Sequence, residues 1–142
     1  MASDHDPQLL KGVLSLLLLW LLAEQESYGY ELAQRLRGLG LTGIADGTVY
    51  PALARLEREE RVTTRLVTSR SGPARKYYRP TSAGYAALAN GAASWSALAD
   101  VVTPLLSRPV PSEPAPPEEE KRHVEHPDPG RPPSHRKGRL DR

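Results

Sequence analysis

The chain has 142 residues, enough for one domain and a tail. It contains no cysteine, which excludes disulfides, thiolate catalysis and cysteine-held metal and fits a reducing cytoplasm. With 19 basic and 17 acidic residues the net charge is only +2, so a polyanion-binding surface has to come from charge placement and not from the total.

Residues 1–8 read as a flexible N-terminus. The run VLSLLLLWLL (Val13 to Leu22) is ten residues long, against the roughly 20 needed to cross a bilayer. Asp4 and Asp6 stand in front of it where a secretory leader needs positive charge, so no membrane partner is expected. A first helix is predicted over Gln8 to Glu24; being apolar on nearly every side, it requires cover from more than one direction. QESYGYE ends it and opens a second helix with Leu32, Ala33, Leu36 and Leu39 on one face. Gly38, Gly40, Gly43 and Gly47 mark the turn that follows.

A third helix begins at DGTVYPALARLE and is predicted to run from Asp46 to about Glu60. At helical spacing Val49, Leu53, Leu56 and Ala52 share the core face. Thr48, Tyr50, Pro51, Ala54, Arg55 and Arg58 share the opposite face, and none of them is a carboxylate. Arginine there suits guanine edges or phosphates. Gly47 and Pro51 are expected in the first turns, where amide hydrogens mostly lack intrahelical partners. VTTRLVTS and ARKYYR then read as two strands around an RSGP tip (Arg70 to Pro73). From Arg61 to Arg79 there are six basic residues and no acidic one, the footprint of a phosphate-facing surface or of a hairpin that merely lacks carboxylates.

The last helix is predicted from Ser82 to about Leu106, capped by Thr81. Tyr85, Leu88, Ala92, Trp95, Ala99, Val102 and Leu106 follow a heptad seam. Its length of roughly 37 Å exceeds what a small helical core covers, so dimerisation through this helix is expected, with Leu88, Trp95, Val102 and Leu106 in the interface. From Ser107 onward the chain holds nine of its 14 prolines and no aromatic residue, which predicts a disordered tail over residues 107–142. His123 and His126 fall in that tail and are not read as a metal site. No cofactor is expected.

Helix, helix, helix, basic hairpin is the order of a winged helix-turn-helix domain. The fold class is therefore mainly α with a small β-hairpin wing, with the winged domain over residues 9–80 and a dimerisation helix over 81–106. YGYEL (Tyr28 to Leu32), GTVYPALARLE (Gly47 to Glu57), GPARKYY (Gly72 to Tyr78) and TSAG (Thr81 to Gly84) appear in the order that resembles the PadR family of transcriptional regulators. The single C-terminal helix is similar to the smaller PadR subgroup. The resemblance implies a dimeric repressor on an inverted-repeat operator, its last helix packed on the partner's first helix, here with Leu16, Leu19 and Trp20. It implies Thr48, Tyr50, Pro51 and Arg55 in the DNA groove, with Arg70, Gly72, Arg75 and Lys76 on the wing. Tyr28 and Tyr30 open the second helix and are placed to reach phosphates, although Tyr30 suits a core position equally. Trp95 reads as seam packing from its heptad position, while the resemblance implies a stacking platform for a small planar aromatic effector, with Ala92 and Ala99 beside it. Where the family usually has glycine after the RLE helix this chain has Glu60–Arg61, so a junction altered or destabilised by about 1 kcal/mol is expected.

The regulator is weighed against two other classes. A winged-helix protein-interaction module without specific DNA binding fits the small net charge. For an enzyme there is no cysteine nucleophile, no phosphate loop and no histidine but His5 outside the tail.

Overall fold

The structure, a computed structural model, describes residues 5–118 and Gly130. It divides into two units, residues 1–107 and residues 108–142. In the first, Asp6 caps α1 (Pro7–Lys11) by accepting the Gln8 amide at 2.8 Å, so an ordered helix begins inside the stretch expected to be flexible. The chain turns at Gly12 and Val13 before α2 (Leu14–Glu24), which splits the single first helix expected from Gln8. β1 (Ser27–Tyr28), α3 (Gly29–Gly38), α4 (Asp46–Arg58), β2 (Val62–Ser69), β3 (Gly72–Pro80) and α5 (Ser82–Leu106) follow. In the second unit, residues 108–117 form neither helix nor strand and are exposed. Most of the remaining tail, with His123 and His126, lies outside the described residues.

The three strands form an antiparallel sheet in the order β1-β3-β2. β1 was not anticipated, because two residues are too few to show an alternating pattern. Its pairing of Ser27 with Tyr78 and Tyr28 with Tyr77 ties the hairpin base to the start of α3. Strand residues alternate in direction. Ser27, Val62 and Tyr78 therefore enter the core, while Tyr28, Arg65, Arg75 and Tyr77 lie on the outer sheet face. The buried Ser27 hydroxyl is satisfied by Arg35, whose Nη1 donates to it at 2.8 Å.

Leu14, Leu18, Leu21 and Leu22 of α2 pack with Leu32 and Leu36 of α3, Val49, Leu53 and Leu56 of α4, and Ile44 of the connecting turn. Leu19 and Leu88 also belong to this core, at 2% and 9% exposure, which corrects their placement on a dimer surface. A heptad count cannot distinguish the near end of α5, covered by its own α2, from the far end. Trp20 and Trp95 are 55% and 54% exposed, and Leu98, Val101, Leu105 and Leu106 lie uncovered beyond them. Among the described residues no helix is long and apolar enough to cross a membrane.

The junction after α4 keeps the shape that a glycine would give it. Glu60 has φ 57°, the left-handed conformation. Its amide bonds the Glu57 carbonyl and the Arg61 amide bonds the Leu56 carbonyl, the two bonds of a Schellman cap. The Thr81 hydroxyl donates to the Glu60 carbonyl at 2.7 Å and accepts the Gly84 amide at 3.0 Å. A side chain on Gly84 would collide with the Arg61 carbonyl, so the first turn of α5 rests directly on this junction. Of the two outcomes expected here, a differently shaped or a destabilised junction, the cap shape is kept, because hydrogen bonds from two elements hold Glu60 in place, and its left-handed backbone fits the second.

Candidate nucleic-acid interface

α3 and α4 form a helix-turn-helix whose turn is clamped by Arg37. Its Nη2 donates to the Ile44 carbonyl and to Asp46 Oδ1, each at 3.0 Å, which fixes the first residue of α4. Val49, Leu53 and Leu56 are buried, while Thr48, Tyr50, Pro51, Ala54, Arg55 and Arg58 are exposed. Pro51 is the sixth residue of α4, past the unpartnered first amides, so it removes one interior bond to the Gly47 carbonyl. That carbonyl belongs to an exposed residue, where water has access to it. Pro51, Ala54, Glu57 and Arg58 line an open depression on this outward face.

Tyr50 is held from behind by Gly29 at the start of α3. A Cβ on Gly29 would fall 2.9 Å from Tyr50 Cζ, closer than carbon atoms pack, so only glycine leaves the phenol in this position. Tyr30, the next residue, is exposed and not core. Arg55 is exposed and makes an i,i+4 pair with Glu59 at 3.0 Å.

The wing turns at Arg70 and Ser71; Gly72 and Pro73, expected in the tip, are the first residues of β3. On the outer face the Arg75 guanidinium lies 4.6 Å from the Tyr28 ring centroid, and the Tyr28 ring meets Tyr77 edge-on at 5.3 Å. Arg65 grips both oxygens of Glu26 through its Nε at 2.9 Å, and this bond, with the Arg65 charge, holds the Glu26 carboxyl below its ordinary pKa. On the inner face Lys76 Nζ donates to Glu57 Oε2 at 2.8 Å, which raises the lysine pKa. Burial pushes the Tyr78 phenol up. Among the described residues, Arg58, Arg70, Arg75 and Arg79 make no ion-pair contact with a carboxylate, although the Arg79 charge still acts on Glu26.

From the sequence alone no role is assigned to Arg37, Gly29, Glu26 or Glu57. Their roles depend on the turn and on strand register, and no local pattern marks them. Two groupings result: Thr48, Tyr50, Pro51 and Arg55 share the outward face of α4, and Tyr28 joins Arg75 on the sheet.

The profile of the Transcriptional regulator PadR-like family matches residues 18–90, from α2 into α5. The chain belongs to this family. A PadR-like transcriptional regulator of Bacillus cereus is 37% identical, with a TM-score of 0.64 over 72% of this chain and 99% of that one. A PadR family regulator of Eggerthella lenta is 34% identical, with a TM-score of 0.64 over 72% and 88% of the two chains. A Lysinibacillus sphaericus protein without an assigned role is 31% identical over 96 residues, which are 66% of this chain and 88% of that one. This PadR-like protein is thus a DNA-binding transcriptional regulator with a winged helix-turn-helix fold, and not an enzyme.

Proposed function

We propose that this PadR-like chain is a cytoplasmic repressor that acts as a homodimer on an inverted-repeat operator. The supporting observation is the uncovered apolar stripe from Trp95 to Leu106 on α5, with Trp20 of α2 beside it. A row of large apolar side chains left in water beyond a finished core is the usual mark of a protein contact. A second copy presenting the same α5 and α2 surfaces would cover it. The two α4 helices would then enter successive major grooves, with Thr48, Tyr50, Pro51 and Arg55 at the bases and Arg70, Gly72 and Arg75 along the backbone. Tyr28 and Tyr30 would flank the phosphates.

The dimer surface also has room for an effector. A groove of about 330 Å³ between α2 and α5, lined by Leu16, Trp20, Leu88, Ala92 and Trp95, is almost wholly apolar and suits a small planar aromatic compound stacked on indole. Ala99 lies one turn further along.

Light scattering and footprinting test the reading. The wild type should have twice the chain mass and protect two half-sites about one helical turn apart in its own upstream DNA. Leu98→Asp/Val102→Asp should yield a folded monomer that protects neither. A wild-type monomer that still protects a single site would sink the homodimer.

A further inference from the structure

Arg75 and Lys76 are adjacent in the wing and carry the same charge, but their surroundings are opposite. Arg75 lies over Tyr28 on the outer sheet face and has no carboxylate partner among the described residues. Lys76 points to the other face, as the next strand residue must, and meets the recognition helix there. Its Nζ donates to Glu57 Oε2 at 2.8 Å and stands 5.5 Å from the ring centroid of Tyr78, a core residue. We propose that Lys76 and Glu57 form a brace fixing the wing to the recognition helix, so that Lys76 serves DNA binding as a positioning residue and not as a phosphate contact. This rests on the DNA-binding reading above.

The position of the pair explains why a brace is useful. β1 pairs with β3 only at Tyr77 and Tyr78, at the base of the hairpin. Lys76 is the next residue toward the tip, and its register partner Leu66 is 72% exposed. On the side facing α4, Lys76 is therefore the outermost tie described between hairpin and helix. Lysine suits the task, because its flexible stem lets one ammonium stand near the Tyr78 ring and bond the carboxylate at the same time.

Charge argues the same way. Glu57 lines the outward depression of α4 with Pro51, Ala54 and Arg58. If Lys76 left for a phosphate, it would expose an unpaired carboxylate on the surface that approaches DNA. Repulsion between Glu57 and the DNA backbone would then cancel much of the attraction between Lys76 and its phosphate.

Three variants test the brace: Lys76→Met, the neutral pair Glu57→Gln/Lys76→Met, and the exchanged pair Glu57→Lys/Lys76→Glu. Each is checked for an unchanged thermal midpoint. Binding to a labelled duplex from the protein's own upstream region is followed by anisotropy over a salt series. The neutral pair should bind about five- to tenfold more weakly, and the exchanged pair should recover to within about threefold of wild type. The slope of log K against log salt should stay the same throughout. A phosphate-contacting Lys76 would instead reduce that slope by about 0.9 in both double variants, with no recovery on exchange, and would overturn the brace. Amide exchange in β2 and β3 reads the brace without DNA: it should quicken in the neutral pair and slow again in the exchanged pair, and equal rates in all forms would also overturn it. Wild type binding its upstream duplex no better than a random one would defeat the DNA-binding reading alone, with amide exchange still deciding the brace.

Discussion

Glu60 at the end of α4 takes the left-handed backbone conformation that Gly40 takes at the end of α3. Their φ angles are 57° and 109°, and each sits in a Schellman cap with the same pair of bonds. The glycine accepts this conformation at no steric cost, whereas the glutamate sets its Cβ against a carbonyl and its carboxylate at the negative end of a helix dipole.

Glu60→Gly should therefore stabilise the fold by about 1 kcal/mol, after allowing for the extra freedom glycine gives the unfolded chain. The urea midpoint should rise with no change in slope. Glu60→Ala removes the charge but keeps the strain, so it should recover only a minor part. Equal midpoints for wild type and Glu60→Gly would mean that the junction stores no strain.

Tyr50 depends on the hydrogen atom that Gly29 has in place of a side chain. Gly29→Ala should push the Tyr50 ring off α3 and cost about tenfold in operator affinity, or about 1.4 kcal/mol. The thermal midpoint should hardly move, because the added methyl meets an exposed ring and not the leucine core. Unchanged affinity would show that Tyr50 is free to find its place on DNA without help from α3.

The helices and hairpin were legible in the sequence because each carries its own period, as in Val49, Leu53 and Leu56 or in the heptad stripe of α5. Features set by contact between elements were not. The turn at Gly12 and Val13 is hidden in a continuous apolar run. Leu19 and Leu88 look like interface residues until α2 and α5 are seen to cover each other. Lys76 and Glu57 are 19 residues apart, and only the hairpin's register brings them together. The candidate site was legible in type, as a helix whose outward face carries Thr48, Tyr50 and two arginines, followed by basic strands. Which cations are already held inside the protein was not.

Acid should loosen the base of the wing through Glu26. Its folded pKa lies below the ordinary carboxylate value, chiefly because Arg65 donates to it. The unfolded chain therefore binds the proton first, and stability from the pair is complete above the ordinary carboxylate range and lost as pH falls through the lowered folded value. Urea midpoints taken from about pH 6 down to about pH 3 should fall less steeply for Glu26→Gln than for wild type. Parallel curves would place the acid sensitivity elsewhere.

Arg37 is the remaining control on the recognition helix. Two bonds from one guanidinium nitrogen join the last turn of α3 to the Ile44 carbonyl and to Asp46, the first residue of α4. Lysine has no rigid fork to hold both acceptors in one geometry, and alanine leaves the carbonyl unpaired. Arg37→Ala should cost about 1–2 kcal/mol of stability, and Arg37→Lys less. Both should weaken operator binding by more than the loss of one positive charge explains. The control is Lys11→Ala, which removes a charge on α1 that makes no described bond to α4. If Arg37→Ala cost the same affinity as Lys11→Ala and Arg37→Lys cost none, Arg37 would act on DNA only through its charge. A loss in Arg37→Lys, with total charge unchanged, would instead make the angle of α4 part of how this PadR-like protein reads its operator.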